Sequence, residues 1–374
     1  MKLNPKLSIV LVVVSIFAKL GFAAEADSDF LVNLEPLKDF KYISTPEDTH
    51  QSLYDAFDNA KKSIKVGIFG ISSTLIAQHL ADAQKRGVSV TVICDTYCTK
   101  SPGKQLIIDQ LKASGVQVYT ASPGFTISHW KMFVIDEQTA FISTMNFISR
   151  ANQMRDMGVY VTNPSIVAEI LAVFNQDIEN SKNQTAITPV LAQSNLVWSP
   201  VNSESKIISL INSAKTSIDI WIENMGDKNV HQALKNAVVR KVSVRLLTSL
   251  CGLGMPASVQ YPLLKELITS GIEVKGEPFP ANSDIPYIHA KSITVDVKTI
   301  FLGSENFSFN SLLKARELGL IFEEPVIAAR MHELYEKDWS KALPIPDQIP
   351  DKCSSLTGAP ALPPVSPAPT AALK

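Results

Sequence analysis

One constellation of residues occurs twice in this chain, 160 positions apart (289 minus 129). The stretch ISHWKMFVIDEQTAFISTMNF supplies His129, Lys131 and Asp136, then Asn146 ten residues after the Asp. The stretch IHAKSITVDVKTIFLGSENF supplies His289, Lys291, Asp296 and Asn306 at the same spacings. A chain that carries such a set twice is constrained to fold as two similar halves that bring both sets to one place.

The repeat extends well beyond these motifs. AKKSIKVGIF (60–69) matches AKTSIDIWIE (214–223), RGVSVTVICD (86–95) matches RKVSVRLLTS (240–249), and LKASGVQV (111–118) matches LITSGIEV (267–274). Past each Asn come RDMGVYV (155–161) and RELGLIF (316–322), then NPSIVAEILAVFNQDI (163–178) and EPVIAARMHELYEKDW (324–339). The pattern predicts that each half opens with a helix (48–62 and 203–215), followed by a strand (63–70 and 217–223). An amphipathic helix (74–86, 229–240), a second strand (88–94, 242–248) and a helix ending in Ser-Gly (104–115, 260–271) come next. Strands alternating with helices predict an α/β fold, two similar halves with mixed sheets flanked by helices about a pseudo-twofold axis. The halves are placed at 25–180 and 201–342, with a linker at 181–200 and a disordered Pro/Ala-rich tail at 343–374.

Residues 1–24 read as a secretory signal: a basic start at Lys2 and Lys6, the apolar run Leu7 to Ala18, and small residues around Ala23. This predicts a secreted or periplasmic protein. Removing that segment takes away three Lys and no acid, leaving 32 basic against 36 acidic side chains, a net charge of −4. Such a balance argues against general nucleic-acid binding through bulk charge. The four cysteines, Cys94, Cys98, Cys251 and Cys353, allow three disulfide pairings. A zinc site at Cys94 and Cys98 would need further ligands nearby, and the sequence offers none.

His and Lys two apart on a strand point to the same side. Two such pairs suit attack on a phosphodiester, with the lysines offsetting its charge and the histidines handling covalent attack and proton transfer. His50, His79, His231 and His332 lack this context and read as ordinary helix or surface residues. Trp130 lies between the His and Lys of the first pair and is expected to point into the core. Glu223 and Asn224 either line the cleft or simply end a strand.

The duplicated H-x-K-x4-D pattern resembles the phospholipase D superfamily, over roughly residues 45 to 340. The second copy, HAKSITVD then GSENF, fits closely; the first, HWKMFVID then STMNF, has Ser143 and Thr144 where the family has Gly and Ser. WIENMGD (221–227) also looks like a stretch in the second half of phospholipases D. The resemblance implies a phosphohistidine intermediate on His129, with His289 as acid and base, and no metal or cofactor. Lys131, Lys291, Asn146 and Asn306, with the Thr144 and Ser304 hydroxyls, would contact the phosphoryl oxygens. Asp156 and Glu317 would each orient a histidine, and Asp136 and Asp296, grouped with the catalytic residues as part of the motif, would brace the fold around it more than touch substrate. The expected activity is hydrolysis of phospholipids at a membrane surface to phosphatidic acid, with transfer to alcohols, by a monomer that is its own pseudo-dimer. A nuclease or a cardiolipin-synthase-type transferase is the alternative.

Overall fold

The computed structural model describes residues 29–149, 153–250, 256–277 and 285–348. The first half runs β1 (Phe40–Thr45), α1 (Gln51–Asn59), β2 (Ser63–Ile68), α2 (Thr74–Lys85), β3 (Ser89–Cys94), α3 (Pro102–Ala113), β4 (Gln117–Thr120), β5 (Lys131–Ile135), β6 (Thr139–Ser143), β7 (Met154–Val161) and α4 (Pro164–Asn183). The second runs β8 (Leu196–Ser199), α5 (Ser203–Ser213), β9 (Ser217–Ile222), α6 (Lys228–Val239), β10 (Ser243–Thr248), α7 (Ala257–Thr269), β11 (Glu273–Gly276), β12 (Tyr287–Ile288), β13 (Lys291–Val295), β14 (Thr299–Gly303), α8 (Phe309–Leu313), β15 (Glu317–Glu323), α9 (Pro325–Lys341) and β16 (Leu343–Pro344).

The two sheets have the same topology. The first is ordered β1-β7-β6-β5-β2-β3-β4, with β12 added on β7; the second reads β8-β15-β14-β13-β9-β10-β11-β16. In each, three neighbouring strands are parallel and the other neighbours along the main path antiparallel, while β12 joins β7 in parallel, giving the mixed α/β sheets expected. The C-terminal ends of the central parallel strands β2 and β3 are buried, which is why VGIF and TVIC read as largely apolar runs.

Three apolar cores hold the layers. One lies between β2–β3 and helices α1–α3, including Phe57, Leu80, Ile108 and Phe133. Another joins the second sheet to α5–α7, including Leu210, Leu234 and Leu264. The third draws on both halves: Trp130, Met132, Ile142 and Met157 with Trp198, Trp221, Leu302 and Leu318, flanked by α4 and α9. Because burying apolar area is the main favourable term in folding, this shared core makes the halves one unit.

The structure moves three expected boundaries. A short edge strand precedes the opening helix of each half, β1 on β7 and β8 on β15. Consequently the segment at 181–200 is not a free linker: α4 continues to Asn183 and Leu196–Ser199 joins the second sheet. A four-residue buried strand has no alternation to reveal it. The tail does not become irregular at Leu343 either, since β16 pairs with β11 and Ile345 packs into the second-half core. Cys94 and Cys98 form a disulfide across the 3-10 turn after β3. Residues 1–24, Cys251, Cys353 and most of the tail lie outside the described residues. Among the described residues, no helix is long and apolar enough to cross a membrane.

Candidate active site

The paired motifs sit at equivalent places in the two sheets. His129 and His289 stand two residues before β5 and β13 begin, and Lys131 and Lys291 are the first residues of those strands. The side chain between them goes the other way: Trp130 is fully buried in the shared core, against Gly67, where a Cβ would come within 2.6 Å of its ring. Each Lys Nζ donates to the carbonyl of its own His, at 2.6 Å for Lys131.

The histidines are anchored crosswise. His129 of the first half is bonded through Nδ1 to Glu317 of the second, at 2.8 Å. His289 of the second half is bonded through Nδ1 to Asp156 of the first, also at 2.8 Å. Backbone bonds repeat the exchange: His129 N donates to Arg316 O and His289 N to Arg155 O, at 2.8 and 3.1 Å. A carboxylate only accepts, so each Nδ1 carries a proton and each Nε2 is left free of the carboxylate, on the cleft side. The carboxylates are held in turn. Glu317 takes a bond from Ser311 Oγ at 2.5 Å, and Asp156 one from Thr144 Oγ1 at 2.5 Å.

A second crossed exchange lies beneath the first. Arg155, next to Asp156, grips Asp338 of α9 with two bonds of 2.7 and 2.8 Å and also pairs with Glu47. Arg316, next to Glu317, reaches Asp177 of α4 at 3.2 Å. Both arginines are almost wholly buried, so each ties the motif of one half to the last helix of the other. Sequence reasoning missed these pairs; the signal was Asp177 and Asp338 at matching positions in the aligned α4 and α9 stretches.

The surroundings of the two histidines differ. At the end of β2 stands Phe69, its ring 4.8 Å from that of His129 and stacked on Tyr97. At the equivalent position after β9 stands Glu223, whose Oε2 is 2.9 Å from Lys291 Nζ and 3.9 Å from His289 Nε2. Tyr287 OH donates to Glu223 Oε1 at 2.8 Å. Burial, then the Lys131 charge, push His129 below its ordinary pKa, so it is neutral near pH 7. Burial and the nearby Lys291 bring Lys131 down to about 7. Although burial opposes its charge, Lys291 and His289 hold the Glu223 carboxyl far below the usual range.

Asn146 Nδ2 lies 3.5 Å from His289 Nε2. Asn306 contacts Glu223 at 3.4 Å and accepts from Asn224 N at 3.1 Å. The expected substrate contacts of Thr144 and Ser304 are corrected. Both are fully buried; Thr144 serves Asp156 and takes Met157 N, while Ser304 takes Leu318 N. Asp136 and Asp296 do not reach the site. They lie at the far ends of β5 and β13, where Asp136 accepts from the backbone N–H groups of residues 61–63 and Asp296 from those of 215–217. Their grouping with catalytic residues is corrected to the bracing role that the resemblance implied.

Among the described residues, Asp219, His332 and Glu336 have potential metal-ligand atoms within 4.8 Å of one another. Arg245 already bridges their two carboxylates, at 2.8 and 2.7 Å.

Comparison with known proteins agrees with this geometry. The family model described as "Cardiolipin synthase, PLD-like domain" matches twice, over residues 53–178 and 207–339. Phospholipase D Z of Dictyostelium discoideum is 23% identical over 367 residues, covering 80% of this chain and 86% of that protein. The 5'-3' exonuclease PLD3 of Xenopus tropicalis is 25% identical over 333 residues, covering 71% of this chain and 66% of that one. The solved phosphatidylserine synthase of Haemophilus influenzae shares the fold, with a TM-score of 0.66 at 12% identity over 86% of this chain and 92% of that chain. With the family model matched in both halves and both histidine pairs intact, the chain belongs to the phospholipase D superfamily and is a phosphodiesterase of that type.

Proposed function

We propose that the protein is a phospholipase D that cleaves phospholipids to phosphatidic acid and a free head-group alcohol. The crossed Nδ1 anchoring of His129 and His289 is the observation that supports this reading most. It leaves one Nε2 from each half for the two jobs a covalent displacement requires. His129, neutral, attacks phosphorus as the bond to the head-group oxygen breaks, and His289, protonated, gives its Nε2 proton to that oxygen. His289 then takes a proton from water, whose oxygen attacks phosphorus and breaks the phosphorus–nitrogen bond. Lys131, Lys291 and Asn146 offset the charge on the phosphoryl oxygens. An alcohol can replace water in the second step, giving a phosphatidyl alcohol.

The similarity to a protein named phospholipase D Z over most of both chains supports a lipid substrate, as does the net acidic charge of the chain without residues 1–24. The similarity to a protein named an exonuclease supports the alternative, cleavage of a nucleic-acid strand. In the proposed reading, residues 1–24 direct export and the enzyme meets its lipid outside the cytoplasm. The test is a product assay with mixed phospholipid vesicles, ethanol and a chelator, with single-stranded DNA in a parallel tube. Phosphatidylethanol supports the proposal, whereas DNA cleavage without any lipid product replaces it.

A further inference from the structure

We infer that Glu223 is the residue that makes the two histidines unequal, holding His289 as the proton donor while Phe69 leaves His129 as the nucleophile. This deepens the proposed mechanism and rests on it. The repeat puts Phe69 and Glu223 at the same position, the residue after β2 and after β9. Phe69 beside His129 carries no charge to offset an imidazolium. The buried carboxylate at His289 does, across 3.9 Å and on the Nε2 side, where the departing oxygen must lie. At that range a charge pair shielded from water is a strong interaction.

The groups that face His289 come from four elements. Asp156 of β7 holds Nδ1, and Glu223 stands off Nε2. Lys291 of β13 is neutralised by Glu223 at 2.9 Å, and Lys131 of β5 stands across the cleft, coupled to Lys291. Without Glu223, the Lys291 charge would act on His289 with only Asp156 beside the ring to offset it. Tyr287 of β12, a strand that pairs with the first-half sheet, fixes the carboxylate by its hydroxyl bond. Glu223 is therefore a positioning residue for a proton: it touches no reacting atom and acts through His289.

The experiment compares two substrates with one phosphatidyl group, short-chain phosphatidylcholine and the matching phosphatidyl-p-nitrophenol. The nitrophenolate departs without a proton, so the donor matters only for choline. Glu223→Gln keeps the shape and removes the charge. It is expected to lower kcat/KM for phosphatidylcholine about 100-fold and to lose at least ten times less on the nitrophenyl ester. Tyr287→Phe should move the same ratio in the same direction by a smaller factor. Equal losses on both substrates would overturn the inference and leave Glu223 a structural residue. A reading independent of substrate is the NMR titration of His289, assigned by comparison with His289→Ala. Glu223→Gln should shift its midpoint to lower pH, and an unmoved midpoint also overturns the inference. If the wild-type enzyme cleaves neither ester, the lipid reading fails, and the titration still decides the role of Glu223.

Discussion

The two halves share one topology and one motif, yet they differ in the residues packed around their histidine pairs. The first half has Phe69, Ser143 and Met145 where the second has Glu223, Gly303 and Glu305. The differences are coupled. Ser143 Oγ donates to Lys131 O at 3.0 Å, filling space beside β5. At Gly303 a Cβ would fall 2.3 Å from Glu305 Oε2, so the missing side chain makes room for that carboxyl. Glu305 is wholly enclosed, and burial together with the Glu317 charge pushes its pKa well above the ordinary value. Duplication thus supplied a symmetric frame with two histidines, and unequal residues around the frame would let the two take the different roles proposed for them.

The largest expected effect tests that inequality directly. His129→Ala and His289→Ala should each lower turnover of phosphatidylcholine by about 10⁴-fold. Their residual states should differ. His289→Ala should accumulate an acid-labile phosphohistidine when given the nitrophenyl ester, and His129→Ala should form none, as read from intact-protein mass. A phosphorylated His129→Ala variant would reverse the assignment of roles.

The next effect concerns stability and the lower crossed layer. Removing one partner of a buried ion pair strands the other charge and costs about 3–5 kcal/mol. Asp177→Asn should approach that full cost in urea unfolding, because among the described residues Arg316 has no second carboxylate partner. Asp338→Asn should cost less, about 1–3 kcal/mol, because Glu47 still faces Arg155. Equal costs would mean that Glu47 contributes nothing.

A smaller effect follows from pH. Lys131 loses its charge near pH 7 in the free enzyme, so kcat/KM should fall up to tenfold per pH unit above that point, with either leaving group. Lys131→Arg should remove this limb if the variant is active. The same shift has a stability sign. Between about pH 7 and the ordinary lysine value, the unfolded chain binds the proton and the folded one does not. The contribution of this group therefore makes folding more favourable as pH rises through that window. Lys131→Met should flatten that rise in pH-dependent melting.

The sequence revealed the halves, most elements and both histidine pairs, because repetition turns weak local signals into a strong one. The family resemblance also implied that Asp156 and Glu317 each orient a histidine. The sequence could not show that each serves the histidine of the other half, since the contacts span 133 and 188 residues. Nor could it choose between cleft and strand end for Glu223, whose meaning depends on Lys291, Tyr287 and His289 arriving from elsewhere. Thr144 was misread for a related reason: its hydroxyl is the right chemistry for a phosphate, and only the packing of β7 against the loop shows that Asp156 uses it.

The smallest expected effect separates motif from mechanism. Asp136 and Asp296 belong to the repeated pattern as firmly as the histidines do, so pattern alone ranks them together. Their geometry does not. Each sits at a hairpin turn with positive φ, at 53° and 52°, and its carboxylate collects three consecutive backbone N–H groups from the segment entering β2 or β9. Burial would raise the Asp136 pKa, and these N–H groups lower it. The bonds lie near solvent, which reduces their worth, so Asp136→Ala and Asp296→Ala should each cost about 1–2 kcal/mol of stability. At a temperature where the variants remain folded, kcat/KM should stay within about threefold of wild type, the range expected when only a distant strand end loosens. A hundredfold loss in a fully folded Asp136→Ala protein would place the motif carboxylate in the chemistry, and the two ends of β5 would then have to act together.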